Sequence, residues 1–73
     1  MVAMDDLHVE TYTVTGMTCA HCVASVSEEV GEIPGVTAVD VDLASGSLTV
    51  TSSQPVGADA VRAAVDEAGY ALT

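Results

Sequence analysis

The chain has 73 residues, which suffice for one small domain and leave no room for a second. Hydrophobic residues make up 49% of it, but the only aromatic side chains are two tyrosines, so valine and alanine must form most of the core. One basic residue against eleven acidic ones gives a formal net charge of −10, which excludes nucleic acid and an anionic membrane surface as partners.

The ends of the sequence and its apolar stretches bear on location. The first seven residues show no periodicity, so we expect residues 1–7 to be a loose lead-in to a single domain that covers residues 1–73. They also lack the basic and then apolar pattern of a secretory signal, and no apolar stretch reaches the roughly 18 to 20 residues that a membrane span needs. We therefore expect a cytoplasmic protein. Its acidic residues form either a solvated surface or a docking face for a basic partner.

The first half of the chain predicts a strand and a helix. Residues 8–15 alternate, with Tyr12 and Val14 on one side and threonines on the other, as in a strand that is covered on one face. Further on, apolar residues recur at helical spacing, and the helix that they predict ends near Gly31, before the Pro34-Gly35 pair. These apolar residues are Val23, Val26, Val30 and Ile33.

The second half predicts a hairpin, a second helix and a short last strand. Residues 36–43 alternate, residues 44–47 supply turn-forming side chains, and the alternation then resumes. A helix is predicted over residues 58–68, ending at Gly69, and residues 70–73 can form only a short closing strand. The hairpin residues predicted to point inward are Val39, Val41, Leu43, Leu48 and Val50.

This order of elements, βαββαβ, predicts an α+β ferredoxin-like sandwich. In that fold two helices pack on one face of a four-stranded antiparallel sheet. The loop after the first strand and the loop before the last strand then lie at the same end of the sheet. We therefore expect Tyr70 to approach Cys19 and Cys22.

Both cysteines lie between the first strand and the first helix, in the segment Gly16-Met17-Thr18-Cys19-Ala20-His21-Cys22. A helix start favours the thiolate, which is the form that binds soft metals. Two sulfurs suit a low-coordinate, exchangeable Cu(I) site, whereas Zn(II) usually takes four ligands. Cys19 and Cys22 are thus the candidate metal ligands, and His21 and His8 are the further side chains that could bind a metal. His21 is expected to point to solvent, with a role as third ligand left open.

The segment resembles the Gly-Met-Thr-Cys-x-x-Cys signature of the heavy-metal-associated domain family, whose members are copper chaperones and the amino-terminal domains of copper-transporting P-type ATPases. The likeness extends to Glu67-Ala68-Gly69-Tyr70, which is similar to the end of the second helix in bacterial members. The resemblance implies that Cys19 and Cys22 bind metal, that Met17 anchors the loop in the core and that Tyr70 sits near the site. Thr18, just before the first cysteine, resembles the copper-handling members.

Three functional hypotheses follow. The first is a non-enzymatic Cu(I)-binding metallochaperone, which passes copper by thiolate exchange to a copper-transporting P-type ATPase or to its metal-binding domain. The second is a metal-binding module excised from such an ATPase, and the third is a dithiol redox protein. Zn(II) or another soft metal stays open as cargo. We expect a monomer, with a dimer bridged by a shared metal as the alternative.

Overall fold

The computed structural model describes residues 7–73, so the expected lead-in, apart from Leu7, lies outside the described residues. Six elements follow one another in the predicted order. They are β1 (His8–Thr15), α1 (Ala20–Gly31), β2 (Val36–Asp42), β3 (Ser47–Ser52), α2 (Ala58–Glu67) and β4 (Ala71–Leu72). Neither helix is long and apolar enough to cross a membrane, within the part of the chain that is described.

The four strands form one sheet in the order β2-β3-β1-β4, and every neighbouring pair is antiparallel. Each helix therefore connects two strands that have a third strand between them. This is the ferredoxin-like topology that the element order predicts.

The core lies between the sheet and the two helices. Alternate residues of β1 and β3 point into it, and residues three or four apart on each helix cover them. The fully buried side chains are valines and one leucine, as the composition requires. The buried members of the core are Val14, Val26, Val30, Leu48, Val50, Val61, Ala64 and Val65.

One residue predicted to point inward does not do so. Leu43 is 39% exposed, because β2 ends at Asp42 and the chain is already turning at residue 43. The amide of Gly46 donates to the carbonyl of Asp42 at 2.8 Å and closes this turn. Alternation along the sequence extended the strand by one residue, and hydrogen bonding across the turn ends it earlier.

The end of α2 is shaped by Gly69, whose φ of +94° lies in the left-handed region. The amide of Gly69 donates to the carbonyl of Asp66 at 2.9 Å, and the amide of Tyr70 donates to that of Val65 at 3.1 Å. This pair of bonds is a Schellman motif, which satisfies the last helix carbonyls and reverses the chain. This reversal places Tyr70 at the end of the sheet where the cysteine segment lies.

We expect Gly69→Ala to destabilise the protein by about 1–2 kcal/mol, because a side chain disfavours the left-handed conformation. Gly31→Ala is the matched control. Gly31 ends α1 without a positive φ, and a Cβ there meets nothing within 4 Å. The control should stabilise by about 0.4–1 kcal/mol through a less flexible unfolded chain. Urea unfolding of both variants measures the difference, and equal effects would contradict this account of Gly69.

Candidate metal centre

The two cysteines occupy different environments at the start of α1. Cys19 is the N-cap residue with extended backbone, and its carbonyl accepts from the amide of Cys22 at 3.0 Å. Its own side chain makes no capping hydrogen bond, so the sulfur stays available. Cys19 is exposed, whereas Cys22, in the first helical turn, is 7% exposed. One sulfur therefore faces solvent and the other faces the protein.

The sulfur atoms lie close enough to share one ion. Cys19 Sγ and Cys22 Sγ are 3.7 Å apart, and both thiols are free. Two metal–thiolate bonds of about 2.3 Å each span that separation without moving the backbone. Opening the pair to a linear arrangement would need about 4.6 Å, which the exposed position of Cys19 allows.

Hydrogen bonds stabilise the thiolate of Cys22. They lower its pKa from the ordinary 9.0 to about 6, and the largest cause is the backbone amide of Thr18. That amide donates to Cys22 Sγ at 3.5 Å. The hydroxyl of Tyr70 is the second cause, and smaller contributions come from Cys19, while burial opposes the shift. The sequence predicts that the helix start favours the thiolate. In the structure, the lowered pKa of Cys22 depends mainly on the loop before the helix.

Tyr70 lies at the site, as predicted. Its hydroxyl interacts with Cys22, which raises the pKa of the phenol, and burial raises it further. The ring packs against the edge of the core and over Gly16, where a Cβ would lie 3.5 Å from Tyr70 Cδ1. Gly16 has a φ of +93°, so the loop turns in a conformation that glycine adopts without strain.

The remaining candidates are divided by their positions. Met17 is half-buried and packs against the core, as predicted for an anchor of the loop. His21 is exposed, in agreement with the expectation that its ring points to solvent. His8 opens β1, at the other end of that strand from the cysteine segment. Within residues 7–73 no group of three Cys, His, Asp or Glu side chains is placed to hold a metal.

Thr18 has a contribution that sequence reasoning missed. In the sequence, Thr18 bears only on metal preference, but in the structure its backbone amide is the principal partner of the Cys22 sulfur, and its hydroxyl lies 3.9 Å from that sulfur. A backbone amide carries no side-chain signature. The sequence carries one related signal, Gly16, whose φ of +93° turns the loop two residues before this amide.

The pKa of Cys22 makes the stability of the apoprotein depend on pH. Because the folded pKa, about 6, lies below the ordinary 9.0, the stabilisation is complete above pH 9 and is lost as pH falls through 6. We expect the difference in unfolding free energy between wild type and Cys22→Ser to grow from pH 6 to pH 9. Urea unfolding at several pH values measures it, and a difference independent of pH would contradict the assignment.

Comparison with known proteins gives a family and several relatives. Residues 11–71 match the heavy-metal-associated domain. The chain is 46% identical over 59 residues to a COP-associated protein of Helicobacter felis, covering 81% of this chain and 89% of that protein. It is 39% identical over 62 residues to the copper chaperone CopZ of Bacillus subtilis, covering 84% and 90%.

Solved structures share the fold. A CopZ metallochaperone superposes with a TM-score of 0.83 at 32% identity, covering 90% of this chain and 100% of that one. The Cu(I)-loaded amino-terminal domain of a potential copper-translocating P-type ATPase from Bacillus subtilis gives 0.83 at 29% identity, covering 92% and 85%.

Proposed function

The chain belongs to the heavy-metal-associated domain family, and from that membership we propose that it is a non-enzymatic carrier of one Cu(I) ion between Cys19 and Cys22. The observation that best supports this proposal is the pair of free cysteine sulfurs 3.7 Å apart, one on an exposed residue and one on a buried residue. Free thiols of this kind persist in a reducing compartment, which we propose to be the cytoplasm. The relatives named as copper chaperones are covered along nearly their whole length, which supports the same role here.

The donor set supports Cu(I) over Zn(II). Thiolates are the soft ligands that Cu(I) favours, and two of them suffice for a low-coordinate ion. Structural Zn(II) sites take four ligands, and no third candidate side chain joins the sulfurs among residues 7–73. Zn(II) and other soft metals should therefore bind more weakly than Cu(I).

The difference in exposure supports transfer by ligand exchange. A thiolate of the acceptor can reach an ion at the exposed Cys19 side and form a new sulfur–copper bond. The bond to Cys19 then breaks, and the bond to Cys22 follows as the second acceptor thiolate binds. No electrons are exchanged in these steps. We propose the metal-binding domain of a copper-transporting P-type ATPase as the acceptor.

Transfer is tested by mixing the Cu(I)-loaded protein with such a domain under anaerobic, reducing conditions and separating the two by ion exchange. Copper should redistribute between them in proportion to their affinities, from either starting side. Copper that stays on the loaded partner, although both proteins bind it alone, would contradict the carrier role. A matched control uses an acceptor with both cysteines replaced by serine.

A second candidate is a metal-binding module of a longer ATPase. The Cu(I)-loaded ATPase domain from Bacillus subtilis has the same fold, which favours this alternative. The metal chemistry would be the same in both cases. The full coding sequence distinguishes them, since a module continues into membrane-spanning segments.

A further inference from the structure

Within residues 7–73, part of the internal strand β1 lacks a neighbour on one side. β4 pairs with β1 only at Val14 and Thr15, and the amide of Thr73 adds one bond to the carbonyl of Thr13 at 2.9 Å. Beyond that point nothing within residues 7–73 pairs with β1 on this side. Among the residues that the structure describes, the first half of β1 therefore has an open edge next to the end of β4.

The backbone groups that face this open edge can be identified. Val14 donates its amide to Gly46 on the β3 side, whereas Thr13 accepts from Thr73 on the β4 side. Backbone groups alternate between the two sides of a strand, so those of Val9 and Thr11 point toward the open edge. Two amides and two carbonyls are thus available to another strand.

Two of the side chains along this edge are apolar and exposed, although Glu10 and Thr11 are exposed there as well. Val9, the second residue of β1, is 60% exposed, and Leu7, just before β1, is 40% exposed. The edge strand β2 carries two carboxylates, Asp40 and Asp42, and a bulge interrupts it near its start, whereas the open part of β1 carries one carboxylate, Glu10. Charges and bulges are typical of edges protected against pairing, and the open part of β1 has no bulge in its pairing with β3.

We propose that the open edge of β1 pairs antiparallel with the same edge of a second copy of this chain, in the register centred on Val9. In that register the two Val9 residues face each other and Leu7 faces Thr11. His8 faces Glu10 twice, as the two-fold symmetry of such a contact requires. Opposite charges or hydrogen-bonding partners at facing positions stabilise a strand pair.

Two other symmetric registers, centred on Glu10 and on Thr11, are less favourable. Centring on Glu10 places two carboxylates directly opposite each other, which destabilises the pair. Centring on Thr11 sets Val9 against Thr13, whose carbonyl already accepts from Thr73. Charge and hydrogen-bond occupancy therefore favour the register centred on Val9 over these two.

This dimer leaves both metal centres free. Val9 and Gly16 are seven residues apart along an extended chain, which is about 23 Å at 3.3 Å per residue. The dimer is therefore distinct from one bridged by a shared metal, and it does not depend on the proposed function. Because each copy carries a net charge of −10, association should be weak and should strengthen as salt screens the repulsion.

Disulfide trapping tests the register. Val9→Cys and Thr11→Cys are each placed in the full-length chain with Cys19→Ser and Cys22→Ser, so that only the introduced thiol can react. Facing positions in the register centred on Val9 lie about 5.5 Å apart between Cα atoms, within disulfide range. Val9→Cys should therefore cross-link at least several-fold faster than Thr11→Cys. Equal rates, or faster linking through Thr11→Cys, would overturn the proposal.

Sedimentation of the unmodified apoprotein under reducing conditions tests the association itself. The dimer fraction should rise with protein and with sodium chloride concentration, and Val9→Glu should abolish it by placing two carboxylates opposite each other. Thr13→Glu adds the same charge to the same face of β1 beside β4, and it should leave the dimer fraction nearly unchanged. A monomer at every concentration and salt level would overturn the proposal.

Discussion

Cys22→Ser is expected to remove tight Cu(I) binding from the reduced protein. The loss should exceed the roughly 10- to 100-fold that removal of a partner outside the ligand set costs, because one of two donors disappears. A serine hydroxyl is a hard donor that is protonated at neutral pH, so it cannot replace the thiolate. Competition for Cu(I) against a calibrated chelator measures the affinity, and Cys19→Ser should behave in the same way.

His21→Ala is the matched control for this prediction, because His21 lies between the two cysteines and is exposed. If the two sulfurs alone hold the ion, this variant should bind Cu(I) with an affinity close to that of wild type. Circular dichroism establishes that each variant is folded. Unchanged Cu(I) affinity in folded Cys22→Ser would contradict the proposed ligand set, and a large loss in His21→Ala would add a third ligand.

Leu48→Ala should have the largest effect on stability. Leu48 is fully buried and is the largest of the completely buried side chains. Such a truncation costs about 2–5 kcal/mol, whereas a domain of this size is stable by roughly 4–11 kcal/mol at the usual 0.05–0.15 kcal/mol per residue. The apoprotein variant should therefore unfold at a much lower urea concentration than wild type, as measured by circular dichroism.

Leu43→Ala makes the same chemical change at an exposed position in the hairpin turn. It should alter the free energy of unfolding by no more than about 0.5 kcal/mol, as is usual for surface substitutions. Similar effects at positions 43 and 48 would contradict the assignment of which leucine belongs to the core. Excess Cu(I) should partly restore the stability of Leu48→Ala, because a ligand that binds the folded state more tightly than the unfolded chain stabilises the folded state.

The topology was predictable because the local residue pattern of each element indicates its type. Period-two alternation in residues 8–15 indicates a strand, and helical spacing at Val26 and Val30 indicates a helix. Gly69 marks the end of α2. The six elements in this order then leave few ways to bury their apolar faces together. Leu43 was misplaced because alternation does not reveal where turn hydrogen bonds end a strand.

The site was predictable to the level of its side chains but not of its electrostatics. The two cysteines and Tyr70 could be brought together from motif and topology. The amide of Thr18 could not, because the direction of a backbone N–H depends on the φ and ψ angles of the loop. The open edge of β1 could not be predicted either, because it depends on where β4 ends. Residues 70–73 are too few for their alternation to define that position.

We propose that Cys19 and Cys22 together hold one Cu(I) ion. The most direct test of this proposal is an anaerobic titration of the fully reduced protein with Cu(I), in competition with a chelator and with Zn(II), followed by native mass spectrometry. We expect one tightly bound Cu(I) per chain that excess Zn(II) does not displace. A reduced, folded protein that takes up no Cu(I), or that releases it to Zn(II), would contradict the proposed copper site.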